Sequence, residues 1–592
     1  MAIYGDHPGA LSGTQKGGNQ TMMLPDGGTA FGDVYRISGD AAGGDDTLTG
    51  GDDSVNYLSG DAAVISGNAR GGNDTLTGGK DNAANYLSGD TAFMSGNARG
   101  GGDTLTGGDN SVNYLSGDAA FMSGNARGGN DTLTGGDGDV NNTLYGDAYS
   151  MVGSTTGGND TLTGGEGDNF LGTNKLYGDA GSMSDSAVGG DDTLIGGFGN
   201  LNELYGDAWS MSGNTRGGND ALVGGDGVFV VMDILYGDAY SMSGNAAGGS
   251  DMLFGSRNLV GSSNIILFGD AFEMRNSAVG GDDSLFGGGD CNNFLYGDAG
   301  SMSDRAVGGN DTLIGGFDNI NELYGDAGSM SGNTRGGNDA LTGGGGLFVT
   351  SILYGDAGSM SENAVGGDDT LDTPSSPRNE LYGDAGGMSG NTRGGNDTLT
   401  GGGGYEGFNF LYGDAGSMSD SAVGGNDTLT GGETFGFGSF NQLYGDAGSM
   451  SDNAVGGNDV LTGGSSGFES PNFLYGDAGS MSGSAVGGDD TLISGTGIDN
   501  MWGDAGAIVR PDVTTGADTF VFKPDSFTDT VHDFRHSDGD RIDIGAYGYT
   551  DFSQLNLSQS GSDAFLDFGG SNNITLVGID YTTLVAADFK FV

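Results

Sequence analysis

Cysteine, proline, histidine and basic residues are all scarce in this 592-residue chain. The single cysteine, Cys291, excludes an intramolecular disulfide framework and any cysteine-rich zinc site. The three histidines, His7, His532 and His536, belong to no Ser-His-Asp order, H-E-x-x-H motif or nucleophile elbow. His532 and His536 stand four apart beside Asp533, but Val-His-Asp-Phe reads as strand and turn rather than as a helical metal pair. No apolar run approaches the roughly 20 residues that span a bilayer; Val228 to Met232 is among the longest. The opening MAIYGDHPGALSG has neither a basic start nor an apolar run, so no cleavable secretory signal is read there. Nineteen basic residues against 80 acidic ones leave a net charge of -61. That field disfavours nucleic acid and anionic membranes as partners and predicts a soluble chain whose carboxylates pack only with counter-cations.

Glycine, by contrast, is abundant. Its 129 copies carry a large ordering entropy, and composition alone would suggest disorder. Hydrophobic residues nevertheless make up 35 % of the chain and recur at fixed intervals. One phrase, LYGDAGSMSDNAVGGNDTLTGG, runs almost from end to end. Fifteen full copies place their first leucine at Leu58, Leu87, Leu115, Leu144, Leu176, Leu204, Leu235, Leu267, Leu295, Leu323, Leu353, Leu381, Leu411, Leu443 and Leu474. A second leucine stands at the eighteenth position after the first in every copy, as Leu76 follows Leu58 and Leu492 follows Leu474. The step from there to the next copy is not fixed and varies from ten to fourteen. Insertions are thus confined to one connection per unit.

In Thr-Leu-Thr, period-2 alternation turns the leucine to one face and both threonines to the other. Gly-Gly, Gly-Asn and Gly-Asp supply turns that reverse the chain after a very short strand. The result is a coil, and stacked coils form an all-β, parallel solenoid with leucines in a narrow core and aspartates piled along the turns. Eighteen is twice nine, so a coil of nine-residue period would place the two leucines of a repeat one coil apart. An Asx residue precedes both at the same offset. Before the first leucine it is Asn in twelve copies, including Asn113, Asn321 and Asn472, and Asp233 in a thirteenth; Ile265 and Ser351 are the exceptions. The methionine seven positions after the first leucine, as in Met122, Met211 and Met330, reads as core filler on another sheet.

Two aspartates recur in every full copy at a constant separation, as in Asp118 with Asp131 and Asp326 with Asp339. One set lies in the G-x-D-x-L core: Asp74, Asp103, Asp131, Asp160, Asp192, Asp220, Asp251, Asp283, Asp311, Asp339, Asp369, Asp397, Asp427, Asp459 and Asp490. The other follows Leu-Tyr-Gly or Leu-Ser-Gly in most copies: Asp61, Asp90, Asp118, Asp147, Asp179, Asp207, Asp238, Asp270, Asp298, Asp326, Asp356, Asp384, Asp414, Asp446 and Asp477. Stacked about 4.8 Å apart, such carboxylates repel unless something sits between them. Ca²⁺, which takes six to eight oxygens, suits aspartates and glycine-turn carbonyls from adjacent coils. Two roles stay open: metal ligand, or turn former capping a backbone amide.

The period and the turn, as in Gly129-Asn130-Asp131-Thr132-Leu133, resemble the RTX (hemolysin-type) calcium-binding nonapeptide G-G-x-G-x-D-x-U-x. The resemblance implies a β-roll or β-helix that binds multiple Ca²⁺ ions, the aspartate of the G-x-D-x-L core being the family's ligand position. The full six-residue turn seldom occurs intact here, and a Met-centred stretch intervenes. Residues 1–48 read as degenerate capping repeats. There Ile3-Tyr4-Gly5-Asp6 and Gly17-Gly18-Asn19-Gln20 form a decayed copy with Gln20 in the ligand's place, and the unit from Ile37 to Leu48 counts seven positions short. Residues 49–505 are the calcium-binding repeats, Met501-Trp502-Gly503-Asp504 marking the last half-copy, and 506–592 a small β-rich C-terminal domain. That tail resembles the C-terminal region of RTX proteins exported by type I secretion, on Gly516-Ala517-Asp518-Thr519-Phe520-Val521-Phe522, Val531-His532-Asp533-Phe534, Gly539-Asp540-Arg541-Ile542-Asp543-Ile544 and the closing Asp588-Phe589-Lys590-Phe591-Val592. The resemblance implies an extracellular or cell-surface protein.

No catalytic motif is found, and RTX enzymes carry a separate catalytic domain for which the repeats leave no room. The expectation is a non-enzymatic, calcium-ordered structural component of a surface layer, matrix or adhesive coat, assembled as a homo-oligomer, lattice or filament. The alternatives are a calcium-dependent polysaccharide-binding module, or an accessory part of an extracellular enzyme. Tyrosines beside the first leucine, from Tyr57, Tyr86 and Tyr114 to Tyr324, Tyr354 and Tyr382, predict either an exposed aromatic stripe or a ladder that holds the coils in register.

Overall fold

The computed structural model describes residues 2–592 except 139, 168–171, 228–231, 258–262, 318, 347–348, 375, 437, 466–469, 510–511 and 525–526. Val228 to Val231 of the apolar run therefore lie outside the described residues. The fold is all-β, with four 3-10 turns among the described residues, all after residue 544. No helix is long and apolar enough to cross a membrane. By internal contacts the chain divides into two compact units, Met1–Ser301 with Arg305–Gly309 and Met302–Asp304 with Asn310–Val592. Each unit is a parallel β-solenoid.

One coil of the first unit defines the pattern. Strand β1 (Val55–Ser59) carries the first leucine, β2 (Ala62–Gly67) the methionine position, here Ile65, and β3 (Thr75–Thr77) the second leucine. Leu58, Ala62, Ile65, Ala69 and Leu76 all point inward and are at most 1 % exposed. Each fully buried leucine contributes about 1.5–3 kcal/mol. Gly67 ends β2 at φ 81°, a left-handed conformation that glycine adopts without strain.

The stacking register corrects one expectation. Leu58 pairs with Leu87, and Leu76 with Leu105, so the partner of each leucine lies in the next repeat. Leu87 pairs in turn with Leu115, and Leu144 with Leu176, so a whole repeat is one coil whatever the length of its connection. The two leucines of a repeat sit in the same coil on different sheets. The methionine strand is the reason. It is a third side, and the coil closes only after passing along it. Met94, Met122 and Met151 stack in register as the core of that side.

A second correction follows in the amino-terminal segment. Ala30 aligns with Leu58, and Ile37 with Ile65. Ile37 thus occupies the methionine place and Ala30 the first-leucine place, at the same offset from Leu48 as Leu58 from Leu76. This coil has the full spacing, with Gly28, Thr29 and Ala30 standing where the next coil has Asn56, Tyr57 and Leu58.

The second unit stacks in the same way, as in Leu381 on Leu411 and Leu399 on Leu429. Its carboxy-terminal segment continues the parallel ladders: Thr519–Val521 pairs with Thr491–Ile493, Arg541–Asp543 with Thr519–Val521, and Thr528–Val531 with Asp499–Trp502. Leu557–Ser560, Asp563–Asp567 and Asn573–Leu576 then turn antiparallel.

The tyrosines form ladders. Tyr57, Tyr86 and Tyr114 stack at 4.9 and 5.2 Å and remain 39–49 % exposed. Tyr177, Tyr205, Tyr236 and Phe268 also stack, but are 2–7 % exposed. The exposed stripe is found in the early coils and the buried ladder from Tyr177 to Phe268, while Tyr354, Tyr382, Tyr412, Tyr444 and Tyr475 stack half-buried.

Candidate metal centre

All thirty sequence-predicted aspartates are buried, none more than 3 % exposed. They meet at one corner of the coil, where the chain leaves the first sheet and where it enters the third. Asp61, at the end of β1, accepts the Gly72 N–H at 2.8 Å. Asp103 accepts the N–H of Asp74, one coil before it, at 2.6 Å. Both types of aspartate thus cap backbone amides, as the turn-former reading expects.

One oxygen does that work, and the other is left over. Asp61 Oδ1, Asp74 Oδ2, Asp90 Oδ1 and Asp103 Oδ2 are buried without a hydrogen-bond partner, as are Asp131 Oδ2 and Asp160 Oδ2 further along. In the second unit Asp356, Asp369, Asp384, Asp397, Asp414, Asp427, Asp446, Asp459, Asp477 and Asp490 repeat the arrangement through Oδ2. Asp118, Asp147, Asp179 and Asp238 instead share a glycine N–H between both oxygens. A buried polar atom without a partner costs about 1–3 kcal/mol, and more when charged.

The carboxylates converge. Asp61, Asp74 and Asp90 each bring a carboxylate oxygen to within 4.8 Å of the other two, and so do Asp33, Asp46 and Asp61, and Asp90, Asp103 and Asp118. Each triad joins both aspartates of one coil to the first aspartate of the next. A carbonyl completes the set: a Cβ on Gly60 would overlap both Asp74 Oδ2 and the Gly89 carbonyl oxygen, so these two oxygens face the same small space. The ladder bonds run from Gly60 N–H to Ser88 and from Asp61 N–H to Asp90, passing over the Gly89 carbonyl. Carboxylates and carbonyls, without thiol or imidazole, make a hard-cation donor set. These triads can hold metal ions.

Electrostatics agree. Burial, reinforced by Asp74 and Asp90, holds Asp61 well above the usual carboxylate range. Burial raises Asp74 and Asp131 to about 8 and Asp459 to about 7. Without a cation these groups keep protons near neutral pH.

The asparagines before the first leucine stand elsewhere. Asn56 Nδ2 donates to Asn85 Oδ1 at 2.8 Å, Asn85 to Asn113 at 2.8 Å and Asn113 to Asn142 at 2.8 Å. The same buried chain runs through Asn379, Asn409, Asn441 and Asn472. Their equal offset from a leucine does not make them equivalents of the aspartates. An amide both donates and accepts, so a stack of amides satisfies itself, whereas a stack of carboxylates cannot.

Sequence reasoning missed several members of the column. Asp33 and Asp46 form the same motif, and their separation, equal to that of Asp61 and Asp74, was the available signal. Asp504, Asp518, Asp533 and Asp540 extend it: Asp490 N–H donates to Asp518, Asp518 N–H to Asp540, and Gly503 N–H to Asp533. Donors close both ends. Gln20 Nε2 donates to Asp6 Oδ1 at 2.7 Å, and Arg535 Nη1 to Asp504 Oδ2 at 2.8 Å. The histidines are placed apart from the column's chemistry: His532 stacks on Trp502 with ring centres 4.0 Å apart, and His536 pairs with Asp588 at 2.7 Å.

No family model matches the chain, and neither a curated protein nor a solved structure matches it.

Proposed function

We propose that this chain is an RTX-like calcium-binding repeat protein that folds on Ca²⁺ outside the cell and serves as a structural component of a surface layer, matrix or adhesive coat. The observation that carries the reading is the carboxylate triad, found on three successive coils between Asp33 and Asp118, together with the unpartnered buried aspartate oxygens that recur along the later coils. Ca²⁺ accepts six to eight oxygens in flexible geometry, whereas Mg²⁺ demands a near-ideal octahedron and keeps its waters. When bound, the ion would neutralise the carboxylates, with Asp61, Asp74 and Asp90 as ligands in the coil described and their counterparts along the column. Repetition supports a structural rather than a catalytic role, because a catalytic pair is distinct from its surroundings.

Export by a type I route, and hence an extracellular location, is proposed on the resemblance of Gly516 to Phe522 and Val531 to Phe534. The low calcium of a cytoplasm would keep the array loose enough to thread a channel. Electron microscopy of the calcium-loaded protein tests the structural reading: a lattice or filament supports it, and dispersed monomers at every concentration refute it.

A second reading, a calcium-dependent polysaccharide-binding module, draws on the exposed Tyr57, Tyr86 and Tyr114 ladder, whose flat faces suit sugar rings. Retention of the calcium-loaded protein on a polysaccharide panel, lost when these three tyrosines become serine, would favour it.

A further inference from the structure

Basic residues are few, yet they are not scattered. In the first unit Lys16, Ala42, Arg70, Arg99, Arg127, Thr156, Val188 and Arg216 bridge one to the next in parallel register, at the corner between the second and third sheets. Five positions of this row are cationic, and all five side chains are exposed. The corresponding row of the second unit holds Arg335 and Arg393. Seven of the 19 basic residues thus occupy one place in the coil, and no acid occupies it.

Arg70, Arg99 and Arg127 lie on three consecutive coils, and among the described residues none forms an ion pair. Like charges on adjacent strands, about 4.8 Å apart, repel. In a chain with 80 acids, a row of bare guanidiniums has an attractive use for which nothing in its own coil provides.

The complement stands across the third sheet. Strand Thr104–Thr106 separates Arg99 from Asp109, and Thr132–Thr134 separates Arg127 from Asp137. Asp109, Asp137 and Glu166 stack in register, the N–H of Asp137 donating to Asp109 Oδ1 at 3.3 Å and that of Glu166 to Asp137 Oδ1 at 3.0 Å. Lys80 pairs with Asp109 at 2.6 Å, and Asp137 and Glu166 are exposed. The third-sheet face is therefore bordered by cations on one side and carboxylates on the other in the Arg99 and Arg127 coils, while Lys80 stands in the carboxylate row of the Arg70 coil and Thr156 in the cation row of the Glu166 coil.

We propose that the Arg70, Arg99 and Arg127 row docks on the Asp109, Asp137 and Glu166 row of a second copy of this chain, the two solenoids lying side by side. Because both rows belong to the same fold, their periods match without adjustment, and guanidinium forks suit carboxylates. The two rows are different surfaces, so the contact is heterologous and leaves a free acidic row on one copy and a free basic row on the other. Addition of copies then continues in one direction. This inference rests on the structural-layer reading and names its lateral contact. Individual surface pairs are weak and screened by salt, so the contact depends on several pairs acting together.

The test uses the full calcium-loaded chain in sedimentation velocity and electron microscopy. One variant carries Arg70→Glu, Arg99→Glu and Arg127→Glu, and the other Asp109→Lys, Asp137→Lys and Glu166→Lys; circular dichroism confirms that each folds. The parent is expected to associate at low ionic strength and to disperse at about 1 M salt, where the screening length is about 3 Å. Each variant alone is expected to lose lateral association, and an equimolar mixture to recover it. If the parent assembles and both variants assemble equally well, this contact is wrong while the layer reading stands. If the parent remains monomeric at low salt, both fall. If the arginine variant assembles normally but loses binding to an acidic polysaccharide, the row serves that polymer and the proposal is overturned.

Discussion

Arg535 Nη1 lies 2.8 Å from Asp504 Oδ2, at the carboxy-terminal end of the column where preceding coils leave an aspartate oxygen unpartnered. A guanidinium thus supplies there the positive charge that a bound cation would supply in the other coils. Arg535→Ala should leave Asp504 buried and uncompensated, at a cost of about 2 kcal/mol. Hydrogen exchange of the Ca²⁺-loaded protein is expected to show lost protection around Thr519 to Val521. Arg535→Lys should retain part of it.

The sharing of aspartates between triads predicts unequal losses. Asp90 belongs to two triads and Asp74 to one. Asp90→Asn should therefore release about two ions and Asp74→Asn about one, with distant coils unaffected because each coil touches only its neighbours. Gly60→Ala should also release about one ion, since its Cβ would enter the space shared by Asp74 and the Gly89 carbonyl. Equilibrium dialysis against the parent reads these differences, and equal losses for Asp74→Asn and Asp90→Asn would contradict the shared triads.

The pH dependence without metal has a definite sign. An unfolded aspartate titrates near about 3.9. In the fold, burial raises Asp459 to about 7 and Asp74 and Asp131 to about 8. Between these limits the folded state holds protons that the unfolded chain has released. Their contribution to stability is full below about pH 4 and lost as pH rises through 7 to 8. Protein stripped of cations should thus melt higher at acid than at neutral pH, and Ca²⁺ should reverse the order by replacing the protons. Melting curves at both pH values, with and without Ca²⁺, decide it.

The two tyrosine ladders should respond differently. Tyr205 is 2 % exposed between Tyr177 and Tyr236, whereas Tyr86 is 39 % exposed. Tyr205→Ser should cost about 3 kcal/mol of local stability, and Tyr86→Ser under about 1. Hydrogen exchange of the flanking strands in saturating Ca²⁺ measures both.

Much of this was legible in the chain. Thr-Leu-Thr between glycine turns specified a parallel solenoid, and the constant separation of Asp61 and Asp74, repeated in every copy, marked the column. What misled was arithmetic. The interval between Leu58 and Leu76, twice nine, suggested two turns of a nonapeptide coil, because nothing in the sequence distinguishes a half-coil from one side of a three-sided coil. The methionine strand was visible as filler but not as a side. Asn56 and Asp74 share an offset from a leucine, yet an amide ladders with itself inside the core while a carboxylate must seek a cation at the corner. Asp518, Asp533 and Asp540 were obscured because their neighbours, Phe520, Val531 and Ile542, replace the leucines that identify the repeat.

The central claim is that cation binding supplies the free energy of folding. Circular dichroism of the full chain at neutral pH, titrated with Ca²⁺ and then with EDTA, tests it most directly. The account predicts an expanded chain with little β signal before Ca²⁺, a cooperative rise to a β-rich spectrum as the triads fill, and a return on chelation. A β spectrum unchanged by EDTA would contradict it.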